Sequence, residues 1–125
     1  MEIEFLKPSS LTKLEKNTFE NCKSLIKIEV PASVTKIDNN CFYNCESLNS
    51  LTFASPSKLN YIEYYVISGC SSITQIKLPP SLKNVNNNAF ISSSLQQLLV
   101  PSSIKNLIKK DTNSYHNIDV KYIDE

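Results

Sequence analysis

The sequence predicts a repeat protein made of stacked coils, because one apolar spacing recurs along its 125 residues. Apolar pairs two positions apart return every 22 to 25 residues, and each pair is typical of a short strand with two inward side chains. A proline follows most pairs and ends the strand at a corner. Since one such unit cannot bury its apolar face alone, the units are expected to stack.

The most regular unit spans residues 31–53, and the other units are edited copies of it. The predicted strand pairs are Ile3/Phe5, Ile28/Val30, Leu51/Phe53, Ile76/Leu78 and Leu98/Val100. Apolar pairs three positions apart are expected to line a second wall: Leu11/Leu14, Val34/Ile37, Leu59/Ile62, Leu82/Val85 and Ile104/Leu107. Two periodic pairs per unit predict a coil with two packed sides.

A small residue followed by a large one then fills the interior of each unit. These pairs are Thr18-Phe19, Cys41-Phe42, Val66-Ile67 and Ala89-Phe90. We expect Phe42 to lie between Phe19 and Ile67 in the stack. Spacings of three and four around Phe42, Cys45 and Leu48 indicate one or two turns of helix or 3₁₀ structure.

The repeat units depart from the common pattern at several places along the chain. Two units carry two extra residues after the strand, Leu6-Lys7 and Ala54-Ser55, which we expect a surface corner to absorb. The pattern decays after Leu107, and a closing strand is suggested only by Ile118, Val120 and Tyr122, as in a terminal cap. We predict one domain, 1–125, with about five repeats: 3–27, 28–50, 51–75, 76–97 and a degenerate 98–125.

Composition narrows the function classes. A net charge of +1 argues against a nucleic-acid partner, and no apolar run approaches the length of a membrane span, so we expect no membrane insertion. The acidic start of the chain does not resemble a secretory signal, which leaves a cytoplasmic location open.

Residues that could carry chemistry favour structural interpretations. Cys41 and Cys45 have the spacing of half a zinc site without the complementary ligands, and Cys22, Cys45 and Cys70 fall on neighbouring coils, where a disulfide is an alternative. Small buried thiols are the favoured interpretation. His116 has Asp111, Ser114 and Asp119 nearby in sequence, but an exposed loop histidine is favoured over a triad. We predict no enzyme activity, no metal and no cofactor.

The outward positions of the strands are the candidate binding residues, because stacked strands present one residue per coil in register. One row is Glu4, Glu29, Thr52, Lys77 and Leu99, and the other is Glu2, Lys27, Ser50, Gln75 and Gln97. A nearly flat face of this kind suits a protein partner. A merely solvated face is the alternative. A contact role is also considered for Tyr61, Tyr64 and Tyr65, which we expect on the outer wall.

The units resemble the BspA-like leucine-rich repeat family over residues 3–107. Residues matching the family pattern in the central unit are Pro31, Ser33, Val34, Ile37, Phe42, Cys45, Ser47 and Leu48. Ile67 in place of phenylalanine and the missing cysteine of the fourth unit are departures. The resemblance implies an α/β repeat, a right-handed leucine-rich-repeat solenoid with a parallel β-sheet on one face and short helical, 3₁₀ or irregular segments on the other. It also implies a surface or secreted protein used in adhesion.

Two hypotheses follow for function. The first is a non-enzymatic protein-binding or adhesion module that uses the exposed sheet face, with a host extracellular or cell-surface protein as partner. The alternative is a structural spacer, or a fragment that self-associates through exposed solenoid ends, with no ligand of its own.

Overall fold

Short parallel strands recur along two walls of a solenoid in the computed structural model, which describes residues 2–4, 10–109 and 113–124. The strands of the first wall are β1 (Glu2–Ile3), β3 (Lys27–Val30), β5 (Ser50–Phe53), β7 (Gln75–Lys77), β9 (Gln97–Pro101) and β10 (Asp119–Ile123). Those of the second wall are β2 (Lys13–Leu14), β4 (Lys36–Ile37), β6 (Tyr61–Ile62) and β8 (Asn84–Val85). Two 3₁₀ helices, Ser102–Leu107 and Asn113–Tyr115, precede β10.

The two walls differ in continuity. The second wall is one four-stranded sheet in the order β2-β4-β6-β8, and all its strands pair in parallel. The first wall consists of two three-stranded sheets, which we name the first block (β1-β3-β5) and the second block (β7-β9-β10). Within the described residues, no ladder joins β5 to β7.

The core lies between the walls and is filled by the predicted apolar pairs. Both strand residues Ile28 and Val30 are buried, as are the second-wall residues Val34 and Ile37. Leu11 is 37% exposed, so its predicted inward position is wrong, whereas Leu14, the other member of its pair, is 2% exposed. Phe5 lies outside the described residues. The alternation of buried and exposed residues in β3 confirms the strand assignment from sequence.

The corner between the walls is held by a backbone ladder from coil to coil. The N–H of Phe19 donates to the carbonyl of Cys41 at 2.9 Å, and the N–H of Phe42 donates to that of Val66 at 2.9 Å. The rings of Phe19 and Phe42 stack with centroids 5.4 Å apart. Ile67 occupies the next coil and is buried, as the sequence predicted for the other flank of Phe42.

Consecutive hydrogen-bonded turns, rather than a helix, form this corner around Phe42, Cys45 and Leu48. The turns require left-handed backbone at equivalent positions, occupied by Asn17, Asn40 and Tyr65 in one row and by Asn21, Asn44, Gly69 and Ser92 in another. Asparagine tolerates this region better than other side chains do. Gly69 is needed for a second reason, since a Cβ there would lie 1.9 Å from the side-chain oxygen of Asn44.

A closing strand ends the described fold, as the sequence suggested. β10 pairs in parallel with β9 over five residues, from Asp119 opposite Gln97 to Ile123 opposite Pro101. No helix in the described part of the chain has the length and apolarity needed to cross a membrane.

Candidate binding surface

The outward side chains of the first wall form rows that are in register within each block. In the first block, Glu2, Lys27 and Ser50 are ladder partners, and Glu29 is opposite Thr52. Glu4 follows β1 directly and is exposed. The two rows predicted from sequence are therefore present in this block, although binding by their residues stays a prediction.

The second block continues both rows. Gln75 is opposite Gln97, which is opposite Asp119, and these side chains form a hydrogen-bonded chain in which Gln97 donates to Asp119 at 3.5 Å. In the other row Lys77 is opposite Leu99, which is opposite Lys121.

Asp119 and Lys121 were missed by the sequence analysis. The alternation of Val120 and Tyr122 with polar residues was the available signal, because it places Asp119 and Lys121 on the outward side of the same strand.

The predicted residues differ in exposure. Lys27, Glu29, Thr52, Gln75 and Lys77 are exposed, whereas Ser50, Gln97 and Leu99 are half-buried. Together with Glu4, the first five of these residues make six exposed side chains, and they lie on both sides of the boundary between the blocks.

That boundary lies beside an insertion in the chain. Leu59 lies six positions after Phe53, whereas Val34 lies four positions after Val30 in the preceding coil. The two extra residues, Ala54-Ser55, were expected to be absorbed by a surface corner. In the structure they line a cleft of about 240 Å³ between the corner after β5 and the end of β7.

Backbone groups of β5 face this cleft. The N–H groups of Ser50 and Ala54 donate to the carbonyls of Ile26 and Val30, toward β3. Peptide groups of alternate residues in a parallel ladder bond to opposite neighbours, so those of Leu51 and Phe53 are directed toward β7. The boundary between the blocks thus presents both side-chain and main-chain polar groups.

Charge is distributed unequally along the row that contains Glu29 and Lys77. Its first block presents Glu4 and Glu29, whereas its second block presents Lys77 and Lys121. Adjacent strands are about 4.8 Å apart, so Glu4 and Glu29 lie within one Debye length of about 8 Å at physiological salt, whereas Lys77 and Lys121, with Leu99 between them, lie about 10 Å apart. This row can therefore interact with a partner that carries opposite charges at two separated positions.

The second wall offers a different surface. Lys13 contacts Asp38 at 3.4 Å and Glu15 at 3.5 Å. Hydrogen bonding to Asp38 raises the pKa of Lys13. Burial would raise the pKa of Asp38, but hydrogen bonds from the Asn39 N–H and Lys13 lower it overall.

Of the tyrosines considered for contacts, Tyr61 lies on this second wall, in β6, and Tyr64 and Tyr65 lie in the turns that follow it. Tyr61, Tyr64 and Tyr65 are exposed, and the rings of Tyr64 and Tyr65 meet edge to face at 5.2 Å.

The cysteines lie in the interior of the corner. Cys41, Cys45 and Cys70 are buried, Cys22 is half-buried, and all four are free thiols. The thiols of Cys45 and Cys70 donate to the carbonyls of Phe19 and Phe42, at 3.0 and 3.1 Å. Burial raises the pKa of Cys41 and of Cys45 to about 12 and that of Cys70 to about 11, which makes these thiols poor nucleophiles at neutral pH.

Other groups that could support catalysis do not converge. His116 is exposed in a turn, and the hydroxyl of Ser114 donates to the side chain of Asn88 at 3.1 Å. Asp111 lies outside the described residues. Within 2–4, 10–109 and 113–124, no three His, Cys, Asp or Glu side chains lie close enough together to hold a metal ion.

Stacked coils with short parallel strands on one wall and consecutive turns at the corner define a leucine-rich repeat protein. The sequence pattern described as "BspA type Leucine rich repeat region" matches residues 2–119 in six copies. The chain belongs to this BspA-type leucine-rich repeat family.

Solved structures agree with this assignment. The pneumococcal vaccine antigen PcpA is 34% identical to the chain, with a TM-score of 0.75, over 79% of the chain and 24% of PcpA. A leucine rich cell surface protein from Faecalibacterium prausnitzii A2-165 is 23% identical, with a TM-score of 0.75, over 100% of the chain and 32% of that protein. The leucine rich repeat protein of T. pallidum, TpLRR, is 22% identical, with a TM-score of 0.62, over 96% of the chain and 67% of TpLRR.

The chain is therefore much shorter than the first two of these structures, and the last two show the fold alone. No functionally curated protein matches the chain in sequence.

Proposed function

We propose that the chain is a non-enzymatic module that binds a protein partner through the first wall. The proposed contact residues are Glu4, Lys27, Glu29, Ser50, Thr52, Gln75, Lys77, Gln97 and Leu99. The observation that carries this proposal is the register of exposed polar side chains across parallel strands, in which the row of Glu29 and Lys77 has acidic residues in the first block and basic residues in the second. An open face of this kind suits a protein partner better than a small molecule, which binds in an enclosing pocket.

The proposal includes adhesion at a cell surface, with a host extracellular or cell-surface protein as partner. Its support is the family membership together with the description of the F. prausnitzii protein as a cell surface protein. Protease treatment of intact cells of the source organism tests the location. Loss of the protein from intact cells supports it, and protection until the cells are lysed contradicts it.

Charge reversal tests the binding surface. The variant Lys27→Glu/Glu29→Lys/Lys77→Glu should weaken binding of a partner captured from surface or host extracts, since opposite charges at the interface become like charges. Folding stability should change by only about 0.5 kcal/mol, as for most surface substitutions.

A matched control carries the same charge changes on the second wall. Lys16→Glu/Glu63→Lys/Lys83→Glu should bind the partner as the original protein does, measured by surface plasmon resonance at two salt concentrations. Equal binding by the original protein and the first-wall variant would rule out the first wall as the contact surface.

The alternative proposal is a spacer that self-associates through its solenoid ends and has no ligand of its own. It is supported by the positions of β1 and β10, which are the outermost strands of their sheets and so have one edge without a strand neighbour among the described residues. Light scattering over a hundredfold concentration range separates the proposals. A mass that rises with concentration, without partner binding, favours the spacer.

A further inference from the structure

We infer that the cleft between β5 and β7 is an anchoring pocket for an acidic side chain of an extended polypeptide partner. This inference rests on the proposed function, because it assigns the partner chemistry at one point of the first wall. The cleft is lined on one side by β5 and the corner that follows it, and on the other by Lys77, Leu78 and Pro79.

The size of the cleft favours a single side chain. Its volume is about 240 Å³, whereas pockets that enclose whole small ligands usually measure roughly 300–1,000 Å³. Anchors of protein interfaces are single side chains that enter pockets near the centre of the contact area. The cleft lies in the middle of the first wall, between its two blocks.

The residues that line the cleft favour a negatively charged side chain as the anchor. The polar side chains are the Lys77 ammonium and the hydroxyls of Thr52, Ser55 and Ser57, and none of the described residues that line the cleft is acidic. The Ser57 oxygen accepts a hydrogen bond from the Leu59 N–H at 3.1 Å, which leaves its own O–H able to donate. Hydroxyl and ammonium groups are the kinds of donor that a carboxylate accepts from.

The surroundings add long-range and apolar contributions. Lys121 lies on the same row as Lys77, two strands farther on, and adds positive charge on that side, whereas Glu29, opposite Thr52, places negative charge on the other side. Phe53 and Pro79 supply apolar walls for the methylene groups of the entering residue. A glutamate, with two methylenes and a carboxylate, matches both parts of the lining.

An extended backbone is expected for the segment that carries this anchor. The peptide groups of Leu51 and Phe53 are directed toward the cleft, and they offer main-chain hydrogen-bonding positions to a peptide that crosses it. A folded helix would present its side chains but no main-chain groups at this point.

Two blocked heptapeptides test the inference: acetyl-Thr-Val-Thr-Glu-Thr-Val-Thr-amide and its counterpart with glutamine at the centre. Each is titrated to millimolar concentration into ¹⁵N-labelled full-length chain. The glutamate peptide should shift the amide resonances of Thr52, Phe53 and Leu78, and the glutamine peptide should bind about tenfold more weakly, because a charge-assisted hydrogen bond is lost.

Variants locate the interaction. Lys77→Gln should weaken binding of the glutamate peptide about tenfold, and Thr52→Val should weaken it less, because one hydroxyl among three is removed. Lys83→Gln, which removes a lysine from the second wall, should leave the affinity unchanged.

The inference is overturned if the two peptides shift the same amides equally, if neither shifts them, or if sodium acetate alone reproduces the shifts of the glutamate peptide. Charge reversal could abolish partner binding while the peptide leaves the resonances of the cleft amides unshifted. That result would reject the anchor and retain the proposed function. Selective peptide binding with a charge-reversal variant that still binds the partner would reject the proposed function and retain an acid-binding cleft.

Discussion

The two walls of the solenoid cross the same coils, yet one is continuous and the other is divided. β4, β6 and β8 pair without interruption in the second wall, whereas β5 and β7 belong to separate sheets in the first. The two inserted residues lie after β5 and before β6, so the corner changes while the pairing of β6 on either side is kept. The second wall therefore keeps its pairing on both sides of the insertion, whereas the first wall is divided at the same coil.

The largest expected effect concerns the interior that both walls share. Cys41, Cys45 and Cys70 have pKa values of about 12, 12 and 11 in the fold, above the ordinary value of 9.0. Above pH 9 the unfolded chain loses these protons while the folded chain keeps them, so stability is present below pH 9 and falls as the pH rises.

Each thiol should contribute a loss of about 1.4 kcal/mol per pH unit between pH 9 and its folded pKa. Urea denaturation at pH 8, 9, 10 and 11 measures this dependence. Cys41→Ala should reduce the slope of the free energy of unfolding against pH by the contribution of one thiol. A stability that is flat to pH 11 would contradict the burial of these thiols.

The next effect concerns the aromatic stack at the corner. Phe42→Ala should lower the free energy of unfolding by about 3–5 kcal/mol, because it removes a fully buried ring between two coils. Phe19→Ala, at the half-buried end of the same stack, is the matched comparison and should cost less. A loss below about 1 kcal/mol for Phe42→Ala would mean that the coils are misaligned.

Deleting Ala54 and Ser55 should remove the difference between the walls. After the deletion, Leu59 follows Phe53 by four positions, the spacing of the preceding coil. β5 and β7 should then pair, and two or three new backbone hydrogen bonds should raise the free energy of unfolding by about 1–3 kcal/mol. Replacing the two residues with Gly-Gly keeps the corner length and serves as the control. A deletion variant that is less stable than this control would show that the insertion is not what separates the strands.

The smallest effect concerns backbone strain in the turns that follow β6. Tyr65 has φ of 57°, at a position where the preceding coils have Asn17 and Asn40. Tyr65→Asn should relieve strain, since asparagine tolerates the left-handed region, and should also lose the edge-to-face contact with Tyr64. The net result should be a free energy of unfolding that is about 0.5–1 kcal/mol higher. Tyr64→Asn removes the same contact without relieving strain. If both variants destabilise equally, the strain is absent.

Much of the fold was predictable because stacking imposes a strict period on the apolar residues. Ile28 and Val30 are buried in their strand, and Phe42 stacks on Phe19, as their spacing predicted. The sheet of the second wall was not predicted, because two-residue strands such as Lys36–Ile37 are too short to show an alternation. Its residues were recognised only as lining a wall.

The candidate site was predictable in part for a related reason. The register of Glu29 with Thr52 follows from the repeat, but the division between β5 and β7 does not. The spacing of the apolar residues shows that two residues are inserted after β5, and it does not show that β5 and β7 are unpaired. Lys121 was missed because the last unit lacks the residues that identify the others.

Amide hydrogen exchange at the boundary between the blocks tests the divided wall most directly. The amides of Leu51 and Phe53, directed toward β7, should exchange at least about tenfold faster than the amide of Ile62, whose strand is paired on both sides in the second wall. Exchange at Leu51 and Phe53 as slow as at Ile62 would show that β5 and β7 are paired, and it would remove the cleft on which the anchor depends.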